Sequence, residues 1–174
     1  MTPADLVVTP TGLLFMNRRF PCTIGRSGIT TAKREGDGAT PAGIHSFVGL
    51  LYRPDRIARA HLPDWAVPIR PNDGWSDDPK DEDYNLIVRR PHAFSHEHLW
   101  RSDPMYDLIL LTNWNWPYAL RGAGSAIFVH TWRAPGHPTA GCVAVSRHNL
   151  IWIANRIRHH TRLIIHASPL PKAL

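Results

Sequence analysis

The segment that most constrains the fold runs from Gly124 to Val145 and reads GSAIFVHTWRAPGHPTAGCVAV. Residues Ser125 to His130 are apolar and β-branched, which is typical of a strand. A polar turn with two prolines follows, and the small-residue corner Ala140-Gly141 leads Cys142 into a second short strand. The pattern therefore predicts one histidine and one cysteine on facing strand ends.

His130 and Cys142 are the candidate catalytic pair. A thiol is only roughly a few per cent thiolate at neutral pH, and an imidazole within hydrogen-bond reach raises that fraction by taking its proton. Gly141 lets a substrate carbonyl approach the backbone closely, and the N–H groups of Gly141 and Cys142 can point at an oxyanion. The alternative is that Cys142 is a small buried hydrophobic residue at a strand start.

Two separate motifs resemble the L,D-transpeptidases with the YkuD-type catalytic domain. The first is Ile127 to His130 (IFVH) followed by Thr139 to Val143 (TAGCV). The second is Gly36 to Gly43 (GDGATPAG), which is similar to the glycine-rich Thr-Pro-x-Gly turn of the family. The motifs occur in the family's order, and the resemblance covers the chain from about residue 24 to residue 166.

The resemblance implies a mostly β fold, a β-sandwich with mixed sheets, with one helix after the nucleophile strand and a minor α+β character. The composition also favours strands over a helical bundle, because 12 glycines and 16 prolines punctuate short apolar runs throughout the chain. At 174 residues we expect a single catalytic domain, residues 1–174, that buries its apolar surface without disulfide support.

Acyl transfer on peptidoglycan stem peptides is the activity that the resemblance implies. Cys142 would be the nucleophile and His130 the base, and the Thr131 main chain would hold the other imidazole nitrogen. This chemistry requires no metal and no organic cofactor. Six further residues are candidate substrate contacts: Tyr84, Asn85, Trp132, Arg133, His137 and Thr139.

Tyr84 and Asn85 end a long connection, residues 52–84, which is rich in proline, aspartate and tryptophan. Connections of this length are usually functional or disordered, and the aromatic residues here indicate an ordered one. We expect Tyr84 and Asn85 beside the active-site cleft. The alternative is that Tyr84 packs at a strand start.

The sequence departs from the family pattern at two positions. The family commonly has His where this chain has Ala140, and Arg where it has Ala144. An oxyanion hole made of main chain survives the first change. The second removes a cation for a substrate carboxylate, which Arg133 or Arg147 would have to replace. The base and the nucleophile are also only 12 positions apart, which suggests a differently shaped donor site.

Hydrophobic patterning predicts the remaining elements. The expected strands are Asp5 to Val8, Gly12 to Arg18, Phe20 to Ile24, Ile44 to Leu51, Asn85 to Arg89, Tyr106 to Thr112 and Thr161 to His166. Ser146 is the candidate N-cap of a helix from Arg147 to about His160. The polar loop 25–43 is either a surface crossover or one wall of the cleft, and residues 167–174 form a tail.

A formal net charge of +6 favours anionic partners. The resemblance implies peptidoglycan stem peptides, as donor and as acceptor. Nucleic acid is not expected, because no recognisable nucleic-acid-binding motif accompanies the basic residues.

We expect a monomer without a membrane span. The resemblance implies a periplasmic or envelope location, although the first ten residues do not form a signal peptide.

Two other groups of residues have both a structural and a functional interpretation. Cys22 is expected as a buried strand residue, with a disulfide to Cys142 as the minority alternative. His92, His96 and His98 invite a metal site, but no His-Glu-x-x-His pattern or cysteine partner accompanies them, so a structural role is favoured.

The sequence leaves several functions open. An L,D-transpeptidase would resolve the thioester with an acceptor amine, whereas an L,D-carboxypeptidase would use water and the same catalytic residues. An amidase acting on peptidoglycan is a variant of the same chemistry. A catalytically inactive cell-wall-binding module of the same fold is the alternative outside enzymes.

Overall fold

The computed structural model describes residues 1–167. Within this range it has fifteen short strands, one α-helix (α1, Arg147–Ala154) and one turn of 3-10 helix at Arg59–His61. The strands are β1 Leu6–Thr9, β2 Gly12–Phe15, β3 Arg18–Phe20, β4 Cys22–Thr23, β5 Ile29–Thr30, β6 Thr40–Pro41, β7 Gly43–Tyr52, β8 Ala66–Pro68, β9 Asp73–Ser76, β10 Ile87–Arg89, β11 His96–His98, β12 Leu108–Thr112, β13 Phe128–Thr131, β14 Val143–Val145 and β15 Arg162–Ile165.

Ten of these strands form the main sheet, in the order β3-β2-β1-β15-β7-β12-β13-β14-β4, with β8 paired on β7. Most neighbours are antiparallel, but β1 with β15, β7 with β8 and β13 with β14 are parallel. Two smaller sheets have the orders β10-β9-β11 and β5-β6. The prediction of a mostly β fold with mixed sheets and a helix after the cysteine-bearing strand is confirmed.

Strand β12 separates two hydrophobic cores. Leu108 and Leu110 pack in the core that includes helix α1, whereas Ile109 and Leu111 pack in a second core with Trp75 of β9. Successive side chains of a strand face opposite sides, so a strand buried on both faces reads as a continuous apolar run. The prediction that this strand is central is confirmed, because β12 lies between β7 and β13.

Helix α1 lies directly after β14 and covers the first core. The Ser146 hydroxyl accepts a hydrogen bond from the Asn149 N–H at 3.3 Å, so the predicted N-cap is confirmed. The helix ends at Ala154, before the predicted His160, because the Arg156 N–H bonds to the carbonyl of Ile153 in a tighter, 3-10-like last turn. No helix in residues 1–167 is long and apolar enough to cross a membrane.

Two of the N-terminal strand predictions were too long. The segment Gly12 to Arg18 is broken because Met16 and Asn17 both have positive φ, 49° and 59°, and form a tight turn between β2 and β3. The segment Phe20 to Ile24 is interrupted at Pro21, which has no N–H to donate to a ladder. Strand β4 therefore leaves β3 and pairs with β14 at the other edge of the main sheet.

Other boundaries also shifted. Strand β13 begins at Phe128 instead of Ser125, because Ala126 has a φ of +51° and leaves the extended conformation. The connection 52–84 contains β8 and β9, so it is partly regular structure. Most of the predicted tail, residues 168–174, lies outside the described residues.

Truncation of Leu110 tests the central position of β12. Leu110 is 0 % exposed, and we expect Leu110→Ala to lower the free energy of unfolding by about 2–5 kcal/mol through lost burial and the cavity left behind. Leu120 is 72 % exposed, so Leu120→Ala is the matched control and should change stability by less than about 0.5 kcal/mol. Urea unfolding measures both, and equal effects would contradict the assignment.

Candidate active site

A cavity of about 410 Å³ contains both members of the predicted catalytic pair, His130 and Cys142. Gly141, Thr139 and Gly36 also line it. Arg26, Lys33 and Glu35 line it as well, so the loop 25–43 forms part of the cavity wall, which decides between its two interpretations.

The parallel pairing of β13 and β14 brings the pair together. His130 is registered opposite Ala144, and Val129 opposite Val143. Residues opposite each other in a ladder share a face of the sheet, and residues two apart on a strand share it too. His130 and Cys142 therefore project on the same face, at the end of β14 where the chain enters it.

The Cys142 thiol is held by the segment just before β13. Its Sγ donates a hydrogen bond to the Ala126 carbonyl at 3.0 Å and accepts one from the Phe128 N–H at 3.4 Å. Burial raises the pKa of the thiol to about 12, although the Phe128 N–H and the charge of Lys33 act in the opposite direction. At neutral pH the resting cysteine is therefore a thiol.

The His130 ring is fixed in one tautomer. Its Nδ1–H donates to the Thr131 carbonyl at 2.8 Å, which is the contact that the family resemblance implied for the Thr131 main chain, and it leaves Nε2 as the acceptor. Tyr106 packs edge-on against the ring, with centroids 5.3 Å apart. Burial lowers the pKa of His130 to about 4, so the ring is a neutral base at neutral pH.

Cys142 and His130 are thus a neutral thiol and a neutral imidazole. The thiol hydrogen bond goes to Ala126 and not to His130. This differs from the expectation of an imidazole that raises the thiolate fraction at rest. It favours transfer of the proton during nucleophilic attack, since charge would otherwise have to form in a buried site.

Gly141 makes the close approach that its lack of a side chain allows. Its φ is +149°, and a Cβ there would lie 2.9 Å from the Ala39 carbonyl oxygen. Its N–H donates to the Thr139 hydroxyl at 3.1 Å, and that hydroxyl donates to the Cys142 carbonyl at 2.7 Å. Within residues 1–167 the Cys142 N–H has no acceptor, so it is the available backbone donor.

A family model for the YkuD L,D-transpeptidase catalytic domain matches residues 8–165. The chain belongs to the YkuD L,D-transpeptidase family. No curated protein and no solved structure matches the chain. The family is catalytic and acts on peptidoglycan, so the cavity with Cys142 and His130 is the candidate active site of this YkuD domain.

Tyr84 and Asn85 lie behind the cavity of the YkuD domain and do not line it; both are 2 % exposed. The Asn85 side-chain oxygen accepts from the Ala126 N–H at 3.0 Å, and its amide group donates to the carbonyls of Trp114 and Asn115. Both polar groups of the Asn85 side chain, which was predicted to contact substrate, are therefore occupied by hydrogen bonds within the protein.

Tyr84 has a similar structural role. Its hydroxyl donates to Glu35 at 2.5 Å and accepts from the Gly124 N–H at 3.1 Å. Tyr84 and Asn85 therefore fix the segment 124–126, whose Ala126 carbonyl receives the Cys142 thiol. The expectation of direct substrate contact is corrected to one of support for the nucleophile.

Trp132, also a predicted substrate contact, does not line the Cys142 cavity. It lines a different cavity, of about 770 Å³, together with Cys22, and that cavity contains neither His130 nor Cys142. Cys22 is unpaired and half-buried on β4, and burial raises its pKa to about 11. The disulfide alternative for Cys22 is therefore wrong.

Arg133, His137 and Thr139, three of the candidate substrate contacts, line the Cys142 cavity. Arg147 does not, because it bonds to Asp107 and to the carbonyl of Arg56. Ala144 is completely buried opposite His130, so the long side chain usual in the family at this position has no room here. Arg133 is thus the better placed of the two replacement cations.

Several cavity residues were not identified from the sequence: Arg26, Lys33, Glu35, Asp77, Glu97 and Arg101. They come from four separate loops and strands, and only Lys33 and Glu35 stood next to a recognised motif. Burial raises the pKa of Glu97, and the charge of Asp77 adds to this effect. In residues 1–167 no group of three His, Cys, Asp or Glu residues is arranged to hold a metal ion.

The stability of the domain should depend on pH through His130. Its pKa is about 4 when folded and 6.5 in its ordinary state, so between these values the unfolded chain binds the extra proton. The free energy of unfolding should therefore fall on acidification from pH 7 to 4, by on the order of 3 kcal/mol from this group. Part of any such slope belongs to His45, whose pKa is also lowered by burial.

His130→Asn should flatten that dependence, while His137→Asn, which alters an exposed residue of the same cavity, serves as control. Urea denaturation at pH 7, 6, 5 and 4 provides the curves. Parallel curves for wild type and His130→Asn would show that His130 is not a buried neutral base.

Substitution of Gly141 tests the contact with Ala39. Gly141→Ala adds a methyl group 2.9 Å from a carbonyl oxygen as well as strain at positive φ. Gly136 also has positive φ, at 76°, but open space around it, so Gly136→Ala carries only the strain. We expect Gly141→Ala to lose more stability than Gly136→Ala by about 1–3 kcal/mol, measured by thermal or urea unfolding.

Proposed function

We propose that this YkuD domain is a peptidoglycan L,D-transpeptidase that works through a Cys142 thioester. The observation that carries the proposal is one cavity in which the Cys142 thiol shares a sheet face with His130, whose Nδ1–H is bound to Thr131. That bond leaves Nε2 free of a proton, which is what a general base requires.

The first half of the reaction forms the thioester. The Cys142 thiol turns from the Ala126 carbonyl towards His130 and passes its proton to Nε2 as Sγ attacks the amide carbonyl of the donor stem peptide. The carbonyl electron pair moves onto oxygen, where the Cys142 N–H donates to it. The intermediate then collapses, and the departing amine takes the proton from His130.

The second half repeats these steps with an acceptor. The amine of a second stem peptide attacks the thioester and gives its proton to His130, and the proton returns to Sγ as the thiol leaves. The product is a cross-link and the free enzyme. No cofactor takes part in this sequence of bonds.

The charges of the cavity suit a substrate that carries both carboxylates and amines. The basic residues Arg26, Arg101 and Arg133 and the acidic residues Glu35, Asp77 and Glu97 all line the cavity. A carboxylate of a stem peptide would pair with the arginines, and an amine with the glutamates. Of the six candidate substrate contacts predicted from the sequence, Arg133, His137 and Thr139 line this cavity and are the substrate contacts in this proposal.

We further propose that residues 1–174 act as one catalytic domain, as a monomer, in the periplasm or cell envelope, where the polymer is located. The proposal rests on the family match over residues 8–165 and on the relation of that family to peptidoglycan.

The deciding experiment incubates the purified protein with muropeptides that carry tetrapeptide stems, followed by mass spectrometry of products and intact protein. We expect an adduct on Cys142 and dimeric products. Shortened monomers would instead assign carboxypeptidase or amidase activity. A folded protein with neither adduct nor product would be the inactive binding module.

Cys142→Ala should abolish turnover and leave the fold intact, because the change removes only one sulfur atom from a strand end. Cys22→Ala is the matched control, as Cys22 is the other free cysteine and lies outside the cavity, and its activity should equal wild type. More than a trace of activity in Cys142→Ala would overturn the mechanism.

A further inference from the structure

The side chain of Lys33 passes between the two segments that hold Cys142. Its Cγ and Cε lie 2.9 and 3.0 Å from where a Cβ on Gly124 would be, and its Nζ lies 3.6 Å from where a Cβ on Gly141 would be. The side chain is only 3 % exposed, and it lines the Cys142 cavity. A buried ammonium therefore stands against the glycine that precedes the nucleophile.

The Gly-Asp-Gly loop fixes this ammonium in position. Lys33 Nζ donates to Asp37 Oδ1 at 2.5 Å and to the Arg34 carbonyl at 3.0 Å. The same Asp37 carboxylate accepts from the N–H groups of Ala39 and Arg34, so the ion pair and the turn form one unit. An ammonium has three hydrogens to donate. The third has no acceptor within residues 1–167.

The backbone around Cys142 leaves a place for another donor. Oxyanion holes typically combine two or more donors, and the Gly141 N–H is already bound to the Thr139 hydroxyl at 3.1 Å. The Cys142 N–H alone is available. Lys33 Nζ lies 3.6 Å from where a Cβ on Gly141 would be, and Gly141 directly precedes the Cys142 N–H in the chain.

We propose that Lys33 is a catalytic residue that donates its third hydrogen bond to the carbonyl oxygen of the scissile amide as that oxygen becomes negative. The inference rests on the proposed acyl-transfer function of Cys142. When Sγ bonds to the carbonyl carbon, the π electron pair moves onto oxygen and Lys33 stabilises it, keeping its own proton; the thiol proton goes to His130. On collapse, the carbonyl re-forms and the amine leaves with that proton.

A charged donor is stronger here than a neutral one. Charge-assisted hydrogen bonds are roughly twice as strong as neutral ones, and they gain further where water is excluded. The Asp37 carboxylate neutralises the ammonium at rest, which allows its burial. Both cations line the cavity, but Arg133 is exposed, which suits a charged substrate carboxylate, whereas Lys33 is buried next to Gly141, which suits the reacting oxygen.

Two small reagents separate the oxyanion from the thiolate. p-Nitrophenyl acetate acylates a thiol through a tetrahedral oxyanion, whereas iodoacetamide alkylates it by displacement at a saturated carbon without one. A loss of thiolate slows both reactions alike. The ratio of the two Cys142 rates therefore reports the oxyanion donors, and neither reagent requires peptidoglycan binding.

The experiment uses the Cys22→Ala background, so that Cys142 is the only thiol, and subtracts the ester hydrolysis of Cys142→Ala. We expect Lys33→Met to lower the ratio of acylation to alkylation on the order of 10²-fold, the usual effect of removing one oxyanion donor. Lys33→Arg, which keeps a charged donor, should restore part of the ratio. Lys80→Met changes an exposed lysine outside the cavity and should leave it unchanged.

Circular dichroism and thermal melting establish that each variant is folded, and Lys33→Gln replaces Lys33→Met if the latter is not. An unchanged ratio in a folded Lys33 variant would overturn the proposal, even if both rates fell, because Lys33 would then act only on the thiolate or the fold. A parent protein without a Cys142-dependent burst would instead show that the acyl-transfer function itself is absent.

Discussion

The parallel pairing of β13 with β14 is the constraint on which the site depends. A parallel pair cannot be joined by a tight turn, so the chain must leave the sheet between Thr131 and Val143 and return beside its own start. The returning crossover delivers Cys142 to the same face as His130. It also carries Arg133, His137 and Thr139 past the cavity, so the catalytic pair and part of its wall have one topological origin.

The same arrangement determines the electrostatics of the pair. Cys142 belongs to the core between the main sheet and the sheet of β9, β10 and β11, and His130 packs against Tyr106 at its border. Burial disfavours every charged form, which raises the pKa of one partner and lowers that of the other. The Cys142 sulfur and the His130 ring are therefore both neutral in the resting site. Charge develops only when the thiol attacks a substrate carbonyl, and nearby hydrogen-bond donors then stabilise the oxyanion.

Support for the nucleophile comes from residues far away in the sequence. Asn85 and Tyr84 bind the segment 124–126, and Asp37 holds Lys33 against Gly141. The close contact between the Ala39 carbonyl and Gly141 joins the Gly-Asp-Gly loop to the cysteine loop. Because Gly141 has no Cβ, these two loops approach more closely than a side chain would allow, and the missing Cβ of Gly124 leaves space for the Lys33 side chain.

Elements with local signals could be predicted from the sequence. The apolar run Leu108 to Thr112, the Ser146 cap and the motif residues His130 and Cys142 depend on burial periodicity, hydrogen bonding within one turn and residue chemistry. The late start of β13 after Ala126 and the early end of β2 before Asn17 were not predicted, because a positive φ at a residue other than glycine leaves little trace in the sequence.

Which segments share the cavity could not be predicted in this way and follows from the fold. Tyr84 and Asn85 were expected at its surface, yet they lie behind it, where the Tyr84 hydroxyl and the Asn85 side-chain oxygen accept hydrogen bonds from the N–H groups of Gly124 and Ala126. Lys33 enters it from the loop 25–43 and Glu97 from strand β11, more than sixty positions later in the chain. Whether such residues meet depends on long-range strand pairing, whose register is a property of the whole sheet and is not encoded in any one stretch of sequence.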